Sequence, residues 1–395
     1  MPERTDELQR SLAALSGKGL RRERVIARHD STGGSKRLRV DGRDFVAFCD
    51  NDYLGLAGDP RLAIAFREAS ARTVGSGASH LITGHGPEHA ALEAELAAWL
   101  GRERALLLST GYMANLAAQC ALASRGKLLL ADRLNHASLI DGARLSGARL
   151  RRYRHLDGAH AATLADADRA PLRLIASDGL FSMDGDIAPV AELATLANRH
   201  DAWLLIDDAH GLGVVGDAGR GTLEAAGCET AARSLVLVGT LGKAFGCFGA
   251  FIAGEAAMIE WLVQSARTYI YTTALPEAVA AAARAALKLI IDEPWRRERL
   301  QALTARFRRR ALAAGLPLSA STTAIQPLII GSAARAVAAS AALRERGYWV
   351  SAIRPPTVPA GSARLRITFA ATHRETDIDG LVDALAESFA EPTNV

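Results

Sequence analysis

The stretch Leu235-Val-Leu-Val-Gly-Thr240-Leu-Gly-Lys243-Ala-Phe-Gly246 runs from an unbroken apolar segment straight into a lysine flanked by glycines. Four apolar residues in a row, with no polar alternation, are what a strand covered on both faces of a parallel sheet shows. A lysine just past such a strand can be partly withdrawn from water, which lowers its pKa and makes a neutral amine available. Gly242 and Gly246 would let a bulky ligand approach the backbone. Taken by itself, the segment also fits a surface lysine in a glycine-rich loop.

Moving outward, the same pattern recurs in Ala105–Leu108, Leu128–Ala131, Leu172–Ala176, Trp203–Ile206 and Gly249–Ala253. Helical periodicity fills the intervals. Pro87 to Leu100 puts Leu92, Leu96, Trp99 and Leu100 on one face, and Pro189 opens a helix with Val190, Leu193 and Leu196 inward. This alternation predicts an α/β domain with a mainly parallel sheet over residues 51–290. Residues 1–50 read as an N-terminal arm, a short charged helix (Leu8, Leu12, Leu15) leading to a hairpin through Gly33-Gly34 and Asp41-Gly42. Residues 291–395 read as a smaller α+β domain, with a basic helix marked by Leu300, Leu303 and Phe307 and strands at Ile325–Ile330 and Arg364–Phe369.

Bulk properties narrow the function. The 395 residues exceed the usual size of one core. Forty-seven basic against 43 acidic residues, net +4, make a mixed surface and not a nucleic-acid footprint. No apolar run approaches the roughly 20 residues of a membrane span. The charged start, Met1-Pro-Glu-Arg-Thr-Asp-Glu-Leu-Gln-Arg10, lacks a secretory apolar region, so the expected location is the cytoplasm. Cys49, Cys120, Cys228 and Cys247 have no C-x-x-C spacing and are expected to be free, buried thiols with no metal.

Polar residues cluster where several apolar runs end, and ligands of open α/β sheets collect beyond the carboxyl ends of strands. Asp207-Asp208-Ala209-His210-Gly211 follows Trp203–Ile206. A carboxylate there can keep a pyridinium nitrogen protonated, the state in which pyridoxal 5'-phosphate (PLP) is an electron sink. It also fits a helix N-cap, or, with His210, a pair of metal ligands. His136 follows Leu128–Ala131 and can lie flat on an aromatic ring. Ser109-Thr-Gly111-Tyr112 opens a helix whose free N–H groups can cradle a phosphate. Phosphate turn, His136, Ser182, Asp207, His210 and Lys243 thus follow in order along the chain, mostly after different strands.

That order resembles the large PLP-dependent transferase fold of type I, the aspartate-aminotransferase-like fold. Phe181-Ser-Met-Asp-Gly-Asp186, the Asp-Asp-Ala-His-Gly box and the Gly-Lys-Ala-Phe-Gly box together resemble the α-oxoamine synthases, which condense an amino acid with an acyl thioester and lose CO2. The likeness runs from about residue 45 to 385. It includes Asn51-Asp-Tyr-Leu-Gly-Leu56, Gly75-Ser-Gly-Ala-Ser-His80, Ala131-Asp-Arg-Leu-Asn-His-Ala-Ser-Leu139 and Tyr271-Thr-Thr273. Ala324-Ile-Gln-Pro-Leu-Ile329, Ser351-Ala-Ile-Arg-Pro-Pro-Thr-Val-Pro359 and Ala363-Arg-Leu-Arg-Ile-Thr368 extend it. The last two favour the branch that joins L-alanine to a pimeloyl thioester, on CoA or an acyl carrier protein, over glycine- and serine-using relatives. A catalytically silent scaffold subunit would have no need of Lys243.

The resemblance implies that Lys243 carries PLP and later acts as a base at the substrate Cα. Asp207 would pair with the ring nitrogen, His136 would stack on the ring, and His210 and Ser182 would lie near its phenolic oxygen. Gly111, Tyr112 and Thr240 would hold the phosphate, with Thr272 or Thr273 from a second subunit of a homodimer. Arg366 would bind the amino-acid carboxylate, with Arg364 on the same strand face as the competing candidate. Asn51 would lie near the substrate, and Arg21 and Arg354 near the far carboxylate of the acyl chain. Two departures from the family pattern stand out: Asp178 where glutamate is frequent, and Cys247-Phe248 where small residues are, with Phe248 bearing on chain length.

Overall fold

The computed structural model describes residues 2–22, 24–30, 36–229 and 234–390. They form two compact units, one of Asn51–Ser182 and Asp186–Arg299, the other of Met1–Asp50, Met183–Gly185 and Leu300–Val395.

The larger unit is built on seven strands: β1 (Arg104–Leu108), β2 (Leu128–Asp132), β3 (Arg149–Tyr153), β4 (Leu172–Asp178), β5 (Trp203–Asp207), β6 (Leu235–Thr240) and β7 (Ala250–Gly254). Their order across the sheet is β1-β7-β6-β5-β4-β2-β3. From β6 to β3 all pairings are parallel. The apolar run at Gly249–Ala253, expected to be parallel like the rest, is instead antiparallel to both β6 and β1. The connection over 241–249 is too short for a parallel crossover, which takes a dozen or more residues. Strand β3 has no apolar run to betray it. It is an edge strand whose exposed Arg149, Arg151 and Arg152 discourage pairing with another chain.

Helices cover the sheet. In α1 (Pro87–Leu100) the predicted face is buried, and α2 (Gly111–Leu122) packs Ala114, Ala117 and Ala118 against Leu129, Leu174, Leu205 and Val236 of the strands. The helix Val190–Arg199 takes Pro189 as its N-cap and buries Val190, Leu193 and Leu196. Gly246 has φ +65°, and a Cβ there would run into the backbone of Leu56 and Ala57. That glycine serves chain packing, in place of the ligand approach expected of it, whereas Gly242 faces looser surroundings.

In the smaller unit, Ala363–Thr368 is the buried central strand between Ile325–Gly331 and Ser351–Ile353, antiparallel to both. A second sheet pairs Ala27–Asp30, Arg37–Val40, Arg43–Ala47 and Tyr348–Trp349 in that order. Asp41 and Gly42, at φ 48° and 79°, form the tight turn expected between two of these strands. The Gly33-Gly34 turn lies outside the described residues. Leu300, Leu303 and Phe307 are buried along the helix Trp295–Ala313. Leu8, Leu12 and Leu15 of the first helix are exposed.

The four cysteines are free, but only Cys228 is fully buried, and Cys120 is exposed. Among the described residues no helix is long and apolar enough to cross a membrane.

Candidate active site

In the larger unit, Gly111 and Tyr112 follow β1, His136 follows β2, Ser182 follows β4, Asp207 and His210 stand at the end of β5, and Thr240 and Lys243 at the end of β6. Helix α2 starts right after β1. Thr110 caps it, its Oγ1 accepting from the Met113 amide at 3.2 Å, and its carbonyl accepts from Ala114 at 3.0 Å. Among the described residues no acceptor meets the amides of Gly111 and Tyr112, and the space where a Gly111 Cβ would stand is open. An uncapped pair of N–H groups at a helix amino end is a natural anion cradle. The Tyr112 hydroxyl is turned away to donate to Asp141 at 2.5 Å. Thr240 ties down the lysine loop, donating to the Gly249 carbonyl at 3.1 Å and accepting from the Gly242 amide at 3.2 Å.

Asp207 ends β5. Its Oδ2 accepts from Asn115 Nδ2 at 2.6 Å and its Oδ1 from the Ala209 amide at 3.1 Å. Asn115 also donates to Ser138 Oγ at 2.9 Å, and Ser138 lies 2.7 Å from His136 Nδ1. Nδ1 accepts from the Ser138 amide as well, which makes Nε2 the protonated nitrogen of a neutral ring. Burial pulls the His136 pKa down; the charge of Asp207 opposes this, and the positive charge of Lys243 adds to it. Asp178 accepts from the His136 amide at 2.6 Å. Its own pKa is raised, first by complete burial and then by the negative charge of Asp207. Lys243 is half-buried, and its charge is felt by both His136 and Asp178.

His210 Nδ1 is 2.7 Å from the Tyr53 hydroxyl, which donates to Asn51 Oδ1 at 3.3 Å. His210 therefore reaches Tyr53, and Asp207 reaches Asn115. Ser182 is half-buried in the loop after β4. Thr272 is half-buried and Thr273 exposed, the latter bridged to Ser79 of its own chain.

In the smaller unit, Arg364 and Arg366 are both buried on the central strand. Arg364 is committed: it donates to Asp184 Oδ1 at 2.6 Å and to the carbonyls of Met183 and Ser362 at 3.0 Å. Arg366 stands opposite Ser351 and Pro327. Arg354 donates to the Gly19 carbonyl. With Leu20, Arg22, Ile353 and Thr357 it lines a small cavity of about 180 Å³, so Arg22 lines it and the predicted Arg21 does not.

Asn115, Ser138 and Tyr53 escaped the sequence reading. Asn115 carried a signal, since it lies one turn past Gly111 on the same face of a largely apolar helix. Tyr53 sits inside the motif that begins at Asn51. The set fits PLP: an amine, a carboxylate braced by an amide, a neutral imidazole and open amides at a helix end. Each matches a different part of that molecule, namely its aldehyde, ring nitrogen, ring face and phosphate.

The chain is similar to known proteins over nearly its whole length. The family described as aminotransferase class I and II matches residues 43–385. The 8-amino-7-oxononanoate synthase of Alkalilimnicola ehrlichii is 56% identical over 381 residues, covering 96% of this chain and 97% of its own. That of Methylococcus capsulatus is 58% identical over 354 residues, covering 89% and 91%. Among solved structures, a serine palmitoyltransferase of S. paucimobilis with a PLP–myriocin aldimine bound superimposes with a TM-score of 0.91 at 28% identity, covering 98% and 97%. The 8-amino-7-oxononanoate synthase of Francisella tularensis does so at 0.75 and 31%, covering 87% and 98%.

Proposed function

Because the chain belongs to the aminotransferase class I and II family, and within it to the 8-amino-7-oxononanoate synthases, we propose that it is a PLP-dependent acyltransferase of biotin biosynthesis. It condenses L-alanine with pimeloyl-CoA, or the carrier-protein thioester, to give 8-amino-7-oxononanoate, CO2 and the free thiol. The observation that carries this is the 56% identity spread over 96% of the chain, twice the 28% shared with the serine-using enzyme of the same fold. Fold likeness alone would not choose the substrate.

When bound, PLP supplies the electron sink that stabilises negative charge at the alanine Cα, before acyl transfer and again as CO2 leaves. The chain's own residues hold and steer. Lys243 would anchor the cofactor through its amine and would hold on Nζ the proton taken from the alanine Cα. Asp207, held from below by Asn115, accepts the ring N–H and keeps that nitrogen protonated. His136, neutral, lies against the ring face without adding like charge to it. His210 and Ser182 lie near the phenolic oxygen, with Tyr53 and Asn51 orienting His210. The amides of Gly111 and Tyr112, with Thr240, hold the phosphate, joined by Thr272 or Thr273 of a second copy in a cytoplasmic homodimer.

Arg366, the member of the pair that the family resemblance assigns, receives the alanine carboxylate through its two-pronged guanidinium. Asn51 lies near the substrate, and Arg21 and Arg354 serve the far carboxylate of the acyl chain.

Two measurements test the proposal. The purified protein should show an absorption band at the visible edge that Lys243→Ala abolishes, and a colourless wild type would overturn the cofactor assignment. Thiol release should be faster with alanine and pimeloyl-CoA than with glycine and acetyl-CoA, or serine and palmitoyl-CoA. A reversed order would move the chain to another branch.

A further inference from the structure

His155 plays no part in the site as described, yet it stands between two of its loops. It follows the edge strand β3. Its Nδ1 lies 2.9 Å from Asp132 Oδ1 and its Nε2 lies 3.0 Å from Asp186 Oδ2. Ionised carboxylates only accept, so an imidazole bonded to one at each nitrogen must carry both protons. Burial by itself would lower its pKa, but the bonds to Asp132 and Asp186 outweigh that and hold it up to about 9. The ring also meets the edge of Phe181, with centroids 4.5 Å apart at 90°.

Each carboxylate governs one loop. Asp132, fully buried at the end of β2, accepts from the Leu134 amide at 2.8 Å and the Leu156 amide at 2.9 Å. It so starts the turn that ends in His136, whose other ties include Asn135 to the Ala176 carbonyl at 2.8 Å and His136 to Asp178. Asp186 closes the base of the hairpin that carries Ser182: its carbonyl accepts from the Phe181 amide at 2.9 Å, beside the bridge between Leu180 and Ile187. The second oxygen of Asp186 is buried and has no hydrogen-bond partner among the described residues. Without His155, Oδ2 of Asp186, whose side chain is 32% exposed, would lose its hydrogen bond to the protein.

We propose that His155 is a positioning residue: by bridging Asp132 and Asp186 it holds the His136 turn and the Ser182 hairpin at a fixed separation around the cofactor. This rests on the PLP reading above and adds to it a residue that touches neither cofactor nor substrate. A hydrophobic or neutral side chain at this position cannot make the bridge, since even glutamine offers a carbonyl to one of the two carboxylates. The pair His155→Gln with Asp186→Asn can, because the glutamine amide then donates to Asp132 while its carbonyl accepts from the asparagine amide.

The test titrates each apoprotein with PLP and reads the dissociation constant by absorbance and the induced circular dichroism of the bound cofactor, with far-ultraviolet dichroism as the fold control. His155→Gln should weaken PLP binding by about tenfold and reduce the induced signal, on the scale of one lost charged hydrogen bond. The double variant should recover most of both. If His155→Gln fails to fold, Asp186→Ala carries the test, since it leaves the Asp132 half intact and should show the same losses. Wild-type affinity and induced signal in the folded variant would overturn the proposal. A wild-type protein that binds no PLP would instead remove the cofactor reading on which it stands.

Discussion

Asn115 Nδ2 donates to Asp207 Oδ2 at 2.6 Å, and this buried amide is what aims the carboxylate from β5 across to helix α2. The same Nδ2 reaches Ser138, so one side chain links the carboxylate, the first turn of α3 (Ala137–Leu145) and, through Ser138, His136. Replacing Asn115 by Ala removes the donor and leaves Asp207, among the described residues, with the Ala209 amide. A hydrogen bond to a charged group is worth about 1.5–3 kcal/mol. Asn115→Ala should therefore weaken PLP binding by roughly 10- to 100-fold, read by absorbance titration, with Asn115→Asp worse because it sets two carboxylates together.

Arg364 and Arg366 should separate into a structural and a substrate role. Arg364→Gln breaks the pair with Asp184, which is 30% exposed. The expected cost is on the order of 2 kcal/mol, below the roughly 3–5 kcal/mol of fully buried pairs, and appears as a lower Tm. Arg366→Gln should instead raise KM for alanine by roughly 100-fold, with KM for the acyl donor little changed. Steady-state kinetics on both variants, with thermal melts, checks the split.

Asp208 gives a pH signature. Burial raises its carboxyl from the ordinary 3.8 to about 7, against the amide bond from Thr222. The sign follows from linkage: an acid whose folded pKa is raised costs stability only once it ionises. The cost is absent below about pH 4, grows as pH rises toward 7 and is constant above. Asp208→Asn removes it, so the variant should gain Tm relative to wild type at about pH 8 and not below about pH 4. Scanning calorimetry at the two pH values decides this.

Gly246→Ala should lower both stability and cofactor affinity. The residue sits at φ +65° against the backbone of Leu56 and Ala57, so an added methyl is strained and has backbone in its way. Left-handed strain alone costs about 1–3 kcal/mol, and the displaced loop carries Lys243. Gly242→Ala, whose Cβ would find its nearest neighbour at 3.6 Å, should be milder in Tm.

Much of this was legible in the chain. Each apolar run became a strand because full burial on both faces demands unbroken apolar sequence. Lys243, Asp207, His136 and His210 could be singled out because reactive groups stand just past strand ends. Other features were hidden for reasons that can be named. β3 is an edge strand, so charge replaced the apolar signal at Arg149 and Arg151. The direction of β7 depended on the length of the 241–249 connection, which composition does not encode. Tyr53, Ser138 and His155 are ordinary residues in sequence and acquire their roles only through partners distant along the chain.

Within Leu235–Gly246, the order of residues was enough to show a buried strand delivering Lys243 to the end of a sheet, and the wider motifs were enough to point to the family chemistry. Only folding in three dimensions brought together Asn115 and Asp207, Tyr53 and His210, and His155 with Asp132 and Asp186. Apolar periodicity is written residue by residue because burial is a local demand repeated along each strand. Hydrogen-bond pairing joins residues far apart in sequence, so it exists only once the strands have been laid side by side.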